Sequence, residues 1–266
     1  SLIECGHQVF VGSRSKIKPP NWAEQARIVQ LEWGDLKALS SVLKGIDVVV
    51  HAAGMNAHEC EMDPIEALEF NGVATARLVQ ACVNTNVSKF IYLSTVHVYC
   101  SPLSGVISED SATVNRHPYA TSHAGGENGG WEQNKNFTGV VLRLSNCIGT
   151  PLDKNTNCWM LVVNDFCRQV IEFKEIKVNS SQKLRRDFVP ISLLCDMISF
   201  LVDKKGKIGE DIINVSLAKT ASLQEMVSLI SERSESILGY RPKATFRSHD
   251  SSNENHNLTL SNSVLS

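Results

Sequence analysis

The 266 residues contain no uninterrupted run of about 20 apolar side chains, the length that an α-helix needs to cross a bilayer. The first residues also lack the order of a signal peptide, in which positive charge precedes an apolar stretch. These two absences argue against a membrane protein, and we expect no membrane partner.

Neither sign of charge dominates, because 26 Lys and Arg are set against 28 Asp and Glu, for a formal net charge of -2. This balance gives no electrostatic footprint for nucleic acid, and we expect no nucleic-acid partner. The eight cysteines include no C-x-x-C pair, and most lie in apolar runs, where a reduced thiol behaves as a small hydrophobic group. The pattern favours a reducing, cytoplasmic location.

Metal-ligand spacing is also missing from the sequence. His58, Glu59 and Cys60 are adjacent, but three consecutive side chains cannot all point at one ion, and no second pair lies at ligand spacing. We therefore predict no metal. Repeats are absent as well, which disfavours solenoids and propellers.

Short runs rich in β-branched residues alternate with longer helical patterns. The runs are QVFVGS (8–13), RIVQLE (27–32), IDVVVHAA (46–53), KFIYLS (89–94) and TGVVLRL (138–144). Each is apolar nearly throughout, as expected for strands buried on both faces. The alternation implies right-handed crossovers, and the predicted fold class is α/β with a Rossmann-like, doubly wound parallel sheet.

One helix between these runs has clear start and burial signals. Asp63 is a suitable N-cap, and Pro64 fits the first helical position. Further along, the helix should bury one face, whose residues are Ala74, Leu78, Val79 and Cys82.

Small and polar side chains follow the predicted strands, at the edge where such sheets bind ligands. HAAG (51–54) ends the third run and either leaves room for a flat ligand or forms a simple turn. Ser94 and Thr95 end the fourth run, and Tyr119 begins the next helix, with His123 four residues later on the same face. A hydroxyl and a phenol at one edge indicate proton transfer to a substrate alcohol or carbonyl; the alternative is a solvated helix surface.

Eight segments occur in the order and spacing of one enzyme superfamily. They are GHQVFVGSR, GDL, DVVVHAAG, FNGVAT, KFIYLSTVHVY, PYATSHAGGE, VVLRLSNCIG and RRDFVPI. On these motifs the chain resembles the extended short-chain dehydrogenase/reductases, and among them the NAD-dependent epimerase/dehydratase family, which acts mainly on nucleotide sugars. Each motif alone is weak, but eight in order, over residues 1 to 235, are a specific signal.

The resemblance implies a role for each matching residue. The family's catalytic Ser/Thr falls on Thr95 and its catalytic tyrosine on Tyr119, which would exchange a proton with a sugar hydroxyl while hydride passes to or from nicotinamide. The implied cofactor-binding residues are Asp35, Leu36, Ala52, Ala53, Gly54 and Asn71. Asn146 and Arg186 fall where relatives hold the substrate diphosphate. By itself, Asp35 is better explained as the cap of the helix that follows it.

The same resemblance suggests the domain organisation. We assign residues 1–150 to a dinucleotide-binding domain and 151–250 mainly to a smaller substrate-binding lobe with late strands of the sheet. In that lobe we predict a helix over 159–170, a short extended segment at RRDFVPIS (185–192) and an amphipathic helix over 221–234. Residues 251–266 are a polar tail in which we predict no structure.

The family's Tyr-x-x-x-Lys is Tyr-x-x-x-His in this chain, and His123 occupies the lysine position. In the family, the lysine binds the nicotinamide ribose and lowers the pKa of the tyrosine. Bringing a phenol from a pKa of ~10 to ~7 needs about 4 kcal/mol, and an imidazole with an ordinary pKa of ~6.5 is mostly neutral at pH 7. We therefore count His123 with the catalytic and cofactor-binding residues. We expect it to contact the ribose or Tyr119 more readily than it supplies the positive charge of the family's lysine.

The end of the first run bears on the choice of cofactor. Ser13 and Arg14, with Lys16 nearby, stand where an NAD-preferring relative would place an acidic residue on the ribose. We expect NAD(P), with NADP slightly favoured; the alternative is a solvated cation and NAD. Compared with the family, the sequence also begins late and stops early, so we expect the first strand and its glycine-rich turn to be missing.

These observations lead to an NAD(P)-dependent epimerase or reductase that acts on a nucleotide sugar. A dehydratase usually carries an acidic pair after the catalytic threonine, where Val96 and His97 stand. One alternative is a regulatory or scaffold protein that kept the fold and lost efficient chemistry. A steroid or flavonoid oxidoreductase is disfavoured by Asn146 and Arg186. Relatives often dimerise through helices equivalent to 64–85 and 118–136, which suggests a homodimer.

Overall fold

The computed structural model describes residues 1–15, 17–129, 137–153, 155–206, 211–247 and 257–261. Its strands are β1 (Phe10–Ser13), β2 (Arg27–Gln30), β3 (Val48–His51), β4 (Lys89–Thr95), β5 (Gly105–Ile107), β6 (Thr138–Leu144), β7 (Asn146–Ile148), β8 (Glu175–Val178), β9 (Arg185–Pro190), β10 (Ile212–Val215), β11 (Thr220–Ser222), β12 (Lys243–Phe246) and β13 (Leu258–Leu260). Its α-helices are α1 (Leu36–Val42), α2 (Ala57–Met62), α3 (Pro64–Ala67), α4 (Thr75–Asn84), α5 (Pro118–Glu127), α6 (Val162–Phe173), α7 (Ile191–Asp203) and α8 (Leu223–Leu238). A π-helical segment, Leu68–Ala74, joins α3 to α4, and 3-10 turns lie at Asn21–Ala23 and Val96–Val98.

Contacts divide the chain into two compact units. The first contains Ser1–Cys100, Ser111–Leu144 and Leu193–Asn214. The second contains Ser101–Asp110, Ser145–Ser192 and Val215–Ser266. The assignment of these parts to cofactor and substrate stays a prediction.

The first unit is built around a sheet with the strand order β10-β6-β4-β3. Strand β4 lies inside this sheet and pairs in parallel with β3 on one side and β6 on the other. β1 and β2 form a separate parallel pair. Because β4 is buried along nearly its whole length, its apolar run is explained by contact with helices on both faces.

Helices α1 and α4 pack on this sheet and enclose one hydrophobic core. Leu39 of α1, Leu78 of α4 and Phe90 of β4 are all buried there. Full burial of a side chain of this size contributes about 1.5–3 kcal/mol. The predicted apolar face is confirmed, since Ala74, Leu78, Val79 and Cys82 are all buried. The predicted helix start is confirmed as well, because the Asp63 carboxylate accepts a hydrogen bond from the Glu66 amide at 2.9 Å.

The second unit contains a three-stranded sheet and two strand pairs. β9 pairs antiparallel with β11 and parallel with β7. β12 pairs in parallel with β8, and β13 pairs in parallel with β5. Apolar side chains of α6, β8 and α8, among them Phe166, Ile176 and Leu223, form its core.

Three predictions for the second unit need correction. The helix predicted over 159–170 is α6, Val162–Phe173, which begins without a side-chain cap at Leu161. The extended segment 185–192 ends at Pro190, and its last two residues belong to α7. The prediction that 251–266 lacks structure is wrong at Leu258–Leu260, which form β13, while 251–256 and 262–266 lie outside the described residues.

Candidate active site

Helix α5 has Tyr119 in its first turn, and the N-terminus of the helix is capped. The His117 imidazole accepts a hydrogen bond from the Tyr119 amide at 3.2 Å, and Pro118 occupies the first helical position. Tyr119 is half-buried, and one turn later His123 is only 6% exposed. The two rings meet edge to face, with centroids 4.5 Å apart at 69°. The predicted juxtaposition of phenol and imidazole is therefore present in the fold.

The His123 ring is hydrogen-bonded to a side chain of the central sheet. Its Nδ1 lies 2.9 Å from the Tyr92 hydroxyl of β4. Burial lowers the pKa of His123 to about 4, well below the ordinary value of ~6.5. The imidazole is thus neutral at pH 7, and it cannot supply the positive charge that a lysine would bring beside Tyr119.

The segment after β3 comes directly against His123 and Asn71. A Cβ atom on Gly54 would lie 3.3 Å from Asn71 Oδ1 and 3.6 Å from His123 Cε1. The preceding residues, Ala52 and Ala53, are exposed. Small, exposed residues at the carboxyl end of a parallel strand leave room for a flat ligand beside the imidazole. These side chains fit a dinucleotide cofactor.

Asn71 holds this segment in place from the π-helical turn. Its Oδ1 accepts a hydrogen bond from the Met55 amide at 2.8 Å, and its Nδ2 donates to Ser122 Oγ at 3.0 Å. Asn71 is only 1% exposed, and both the oxygen and the nitrogen of its side-chain amide are hydrogen-bonded. π-Helical turns of this kind are frequent at functional sites. Asn71 therefore links the exposed segment to α5.

Thr95 lies at the end of β4, as predicted, and is buried. Its hydroxyl accepts a hydrogen bond from the His97 amide at 3.1 Å and thereby caps the following 3-10 turn. The oxygen keeps a second lone pair and its proton, which suffice to hold a substrate oxygen. That Thr95 and Tyr119 act on the same substrate oxygen stays a prediction.

A buried polar network fixes α5 to the sheet, and the sequence reasoning missed it. The Glu127 carboxylate pairs with Arg143 of β6, with Oε2 and Nη2 2.7 Å apart and both side chains at most 5% exposed. Ser94 also donates to Glu127, and Arg143 Nη1 donates to Tyr99 Oη at 2.8 Å. A signal was available, because Glu127 follows His123 by four residues and shares its helix face.

The cofactor residues predicted near β1 and α1 have local roles. Asp35 Oδ1 accepts hydrogen bonds from the amides of Lys37 and Ala38 at 2.8 and 3.1 Å, so the capping alternative is the one observed. Leu36 is the first residue of α1. Contacts of these residues with adenine stay predictions.

Two residues predicted to choose the cofactor follow β1. Ser13 ends the strand, and its hydroxyl accepts a hydrogen bond from the Ser15 amide at 3.3 Å. Arg14 is exposed, with its guanidinium 5.9 Å from the centroid of the Phe70 ring. Lys16 lies outside the described residues.

In the second unit, the two predicted diphosphate ligands differ in availability. Asn146 Nδ2 already donates to the Asp187 carbonyl oxygen at 3.0 Å. Arg186 is half-buried, burial lowers its pKa, and its guanidinium makes no hydrogen bond or ion pair with the described residues. Its neighbour Arg185, in contrast, donates to Thr220 Oγ1 at 3.1 Å. Arg186 is therefore the better candidate for an anionic ligand.

A cavity of about 810 Å³ also lies in the second unit, between residues 148–151, α6 and the beginning of α7. None of the predicted site residues lines it.

Over the described part of the chain, no helix is long and apolar enough to cross a membrane. Within those same ranges, no group of three or more His, Cys, Asp or Glu side chains could hold a metal ion.

Comparison with known proteins gives a consistent result. A model of the NAD dependent epimerase/dehydratase family matches residues 1–216. The chain is 27% identical over 205 residues to the uncharacterized UDP-glucose epimerase YtcB of Bacillus subtilis (strain 168), covering 73% of this chain and 60% of that protein. It is 31% identical over 197 residues to the dTDP-D-glucose 4,6-dehydratase of Homo sapiens, covering 70% of this chain and 53% of that protein. The match thus spans little more than half the length of these relatives.

Solved structures share the fold. MoeE5 in complex with UDP-glucose and NAD has a TM-score of 0.77 at 21% identity, covering 98% of this chain and 82% of that chain. The UDP-glucose 4-epimerase of Thermotoga maritima with UDP-glucose has a TM-score of 0.78 at 18% identity, covering 98% of this chain and 84% of that chain. The predicted Rossmann-like α/β fold is therefore confirmed.

Proposed function

Because the chain belongs to the NAD dependent epimerase/dehydratase family, we propose that its protein is an NAD(P)-dependent enzyme that epimerises or reduces a nucleotide sugar. The observation that carries the proposal is the cluster of Tyr119, His123 and Gly54 at the carboxyl edge of the parallel sheet. This edge is where Rossmann-like sheets bind dinucleotides. The match of the family model confirms the family resemblance that was inferred from the motifs. The activity of the whole protein is our proposal.

In the proposed reaction, Tyr119 exchanges a proton with a hydroxyl of the sugar. In the oxidising direction, the O–H proton of the substrate would pass to the phenolate oxygen of Tyr119, which becomes a neutral phenol, and the C–H hydrogen would leave as hydride. The bound nicotinamide supplies the hydride acceptor. Thr95 donates a hydrogen bond to the same substrate oxygen and keeps it aligned with Tyr119.

A neutral His123 changes how this site activates Tyr119. Lysine at this position would stabilise a phenolate by charge, whereas an imidazole with a pKa of about 4 contributes no charge at pH 7. The positive charge of the oxidised nicotinamide supplies part of the missing stabilisation. We therefore expect turnover to rise towards alkaline pH.

Arg14 and Arg186 suggest how the ligands are selected. Arg14 is exposed directly after β1, and the sequence has Ser13 and Arg14 where an acidic residue would repel a ribose 2′-phosphate, so we propose a slight preference for NADP. The guanidinium of Arg186, without a partner among the described residues, suits the diphosphate of a nucleotide sugar. Val96 and His97 after Thr95 favour epimerisation or reduction over dehydration.

The helix of residues 64–84 also supports the proposed homodimer. Ile65, Leu68 and Val73 are 72%, 49% and 51% exposed, so this helical stretch offers apolar side chains to a partner. Burial against the same helix of a second copy would remove them from water. Light scattering of the whole protein should give the mass of a dimer, and a monomer at micromolar concentration would contradict this part of the proposal.

The neutral His123 also supports a second candidate function, that of a dinucleotide-binding regulatory or scaffold protein with impaired chemistry. The experiment that separates the two uses the whole protein. Binding of NAD and NADP is measured by titration, and turnover is then measured with UDP- and dTDP-sugars. Turnover supports the enzyme. Binding without turnover of any tested sugar supports the regulatory protein, and absence of binding contradicts both.

A further inference from the structure

Helix α6 has a second apolar face, which borders the cavity of the second unit. Phe166 and Val170 lie on one face of the helix and pack into the core. Cys167 and Ile171, one turn apart, lie on another face and line the cavity. Both are exposed, Ile171 to 64%. The core therefore explains only one of the two faces, and the other is available to a ligand.

The cavity has the size and the lining of a small-molecule site. Its volume of about 810 Å³ lies within the range of ~300–1,000 Å³ that is typical of such sites. All of its lining residues lie between 148 and 192, so the cavity belongs to the second unit alone. The Trp159 side chain borders it, and most of its wall is apolar. The apolar residues include Ile148, Pro151, Val163, Ile171, Pro190 and Ile191.

The charges at the cavity are balanced, which disfavours an anionic ligand. Among the described residues of the lining, Arg168 and Glu172 are the charged ones, and they have opposite signs. Arg168 is also paired with Asp165, with Nη2 and Oδ1 2.6 Å apart. A phosphate or carboxylate group would lose its hydration without gaining an unpaired positive charge. An uncharged ligand is therefore favoured.

One polar atom of the wall is left for the ligand. Asn164 is only 7% exposed, and its Nδ2 donates to the Gly149 carbonyl oxygen at 3.2 Å. Because a carbonyl oxygen can only accept, this contact fixes which end of the side-chain amide is the nitrogen. None of the described residues donates a hydrogen bond to Asn164 Oδ1. A hydroxyl or N–H group on a ligand in the cavity fits this acceptor.

We propose that the cavity is a second ligand site, which binds an uncharged, ring-containing molecule with one hydroxyl or N–H group. The rings pack against Trp159 and the apolar face of α6, and the hydroxyl or N–H group donates to Asn164 Oδ1. Such a ligand differs from a dinucleotide and from a nucleotide sugar, because both of these carry a charged diphosphate. The proposal goes beyond the proposed function and does not depend on it.

Two dyes with the same rings test the charge argument on the whole protein. N-phenyl-1-naphthylamine is uncharged, has one N–H group and becomes fluorescent in apolar surroundings. 8-Anilinonaphthalene-1-sulfonate adds a sulfonate to the same skeleton. In fluorescence titrations the uncharged dye should bind at least about 10-fold more tightly, since the cavity offers the sulfonate no unpaired cation. Equal or tighter binding of the sulfonate would overturn the proposal.

Three variants locate the bound dye. Ile171→Ala shortens an exposed side chain of the wall and should weaken binding of the uncharged dye about 3- to 10-fold. Ile237→Ala is the matched control, because Ile237 of α8 is 68% exposed and does not line the cavity, and it should bind like the wild type. Cys167→Phe fills the cavity and should weaken binding further. Equal binding by all three variants would contradict the site.

The acceptor role of Asn164 is tested with a third dye. N-methyl-N-phenyl-1-naphthylamine has no N–H group, so it should bind the wild-type protein about 2- to 10-fold more weakly than the parent dye, the value of one hydrogen bond. Asn164→Leu removes the acceptor, and the difference between the two dyes should disappear. A difference that survives in Asn164→Leu would refute the role of Oδ1.

Competition separates this site from the one that serves the proposed function. Saturating NADP and UDP-glucose should leave the dye bound, and displacement by either would overturn the proposal. Dye binding that falls as the protein concentration rises would show that a second copy covers the cavity, which would overturn it as well. Failure of the proposed function would instead appear as absence of turnover with dye binding unchanged.

Discussion

One methyl group placed on either of two neighbouring glycines of α5 should change the stability of the fold to different extents. A Cβ atom on Gly126 would lie 2.7 Å from the Asn71 carbonyl oxygen and 2.7 Å from Tyr92 Oη, both in the buried interior. A Cβ atom on Gly125 would meet nothing closer than Gly72 Cα at 3.8 Å, which is an ordinary contact. The two sites belong to the same turn of the same helix, so they form a matched pair.

The expected magnitudes follow from two terms. Replacing a helical glycine with alanine stabilises the fold by up to about 1 kcal/mol, and this term is shared by both variants. Overpacking at Gly126 costs about 1–3 kcal/mol, because a backbone carbonyl and a tyrosine ring must both move. Gly125→Ala should therefore be neutral or stabilised, and Gly126→Ala should be less stable than Gly125→Ala by about 1–3 kcal/mol.

Urea unfolding of the two variants and the wild-type protein measures this difference, provided that the slopes agree. Gly126→Ala should also disturb His123, because the displaced Tyr92 hydroxyl is the group that contacts its Nδ1. Equal free energies of unfolding for the two alanine variants would refute the close packing of α5 against Asn71 and Tyr92.

Three further predictions concern protons and phosphate. Burial keeps the pKa of His51 and His123 at about 4 in the folded protein, so on acidification the histidines are protonated in the unfolded chain at a higher pH than in the folded protein. The free energy of unfolding should therefore fall between about pH 6.5 and 4, by up to about 3 kcal/mol per histidine. Thermal unfolding measured against pH should show a weaker slope for His51→Gln than for the wild-type protein. His123→Lys should maintain or raise turnover and shift its pH optimum downwards, since an ammonium group favours the phenolate; an unchanged pH profile would contradict the charge argument. Arg14→Ala should weaken binding of NADP about 10-fold more than that of NAD, the value of one charged contact, and equal losses would show that Arg14 does not contact the 2′-phosphate.

Local sequence signals predicted the first unit well. β6 has the predicted bounds, and Asp63 caps a helix with Pro64 in its first position, because burial on both faces and helix capping are written into neighbouring residues. The shift of α6 by three residues follows from the absence of a side-chain cap at Leu161. β13 could not be predicted, since its partner β5 lies about 150 residues earlier in the chain.

Only the part of the site that depends on local spacing along the chain was predicted. The spacing of Tyr119 and His123 placed both rings on one helix face, as observed. The hydrogen-bond partner of the His123 ring is instead Tyr92 of β4, which the spacing of residues within α5 could not identify. The requirement for glycine at residue 126 likewise arises from Asn71 and Tyr92, so it emerges only when the chain is folded.

The proton-transfer role of Tyr119 is the centre of this account, and Tyr119→Phe tests it most directly. Turnover of the whole protein with its nucleotide sugar is compared with that of Tyr240→Phe, a variant that loses a phenol outside the site. We expect Tyr119→Phe to lose about 10²–10⁴-fold in turnover with cofactor binding retained, and Tyr240→Phe to keep its activity. A Tyr119→Phe protein with full turnover would contradict the account.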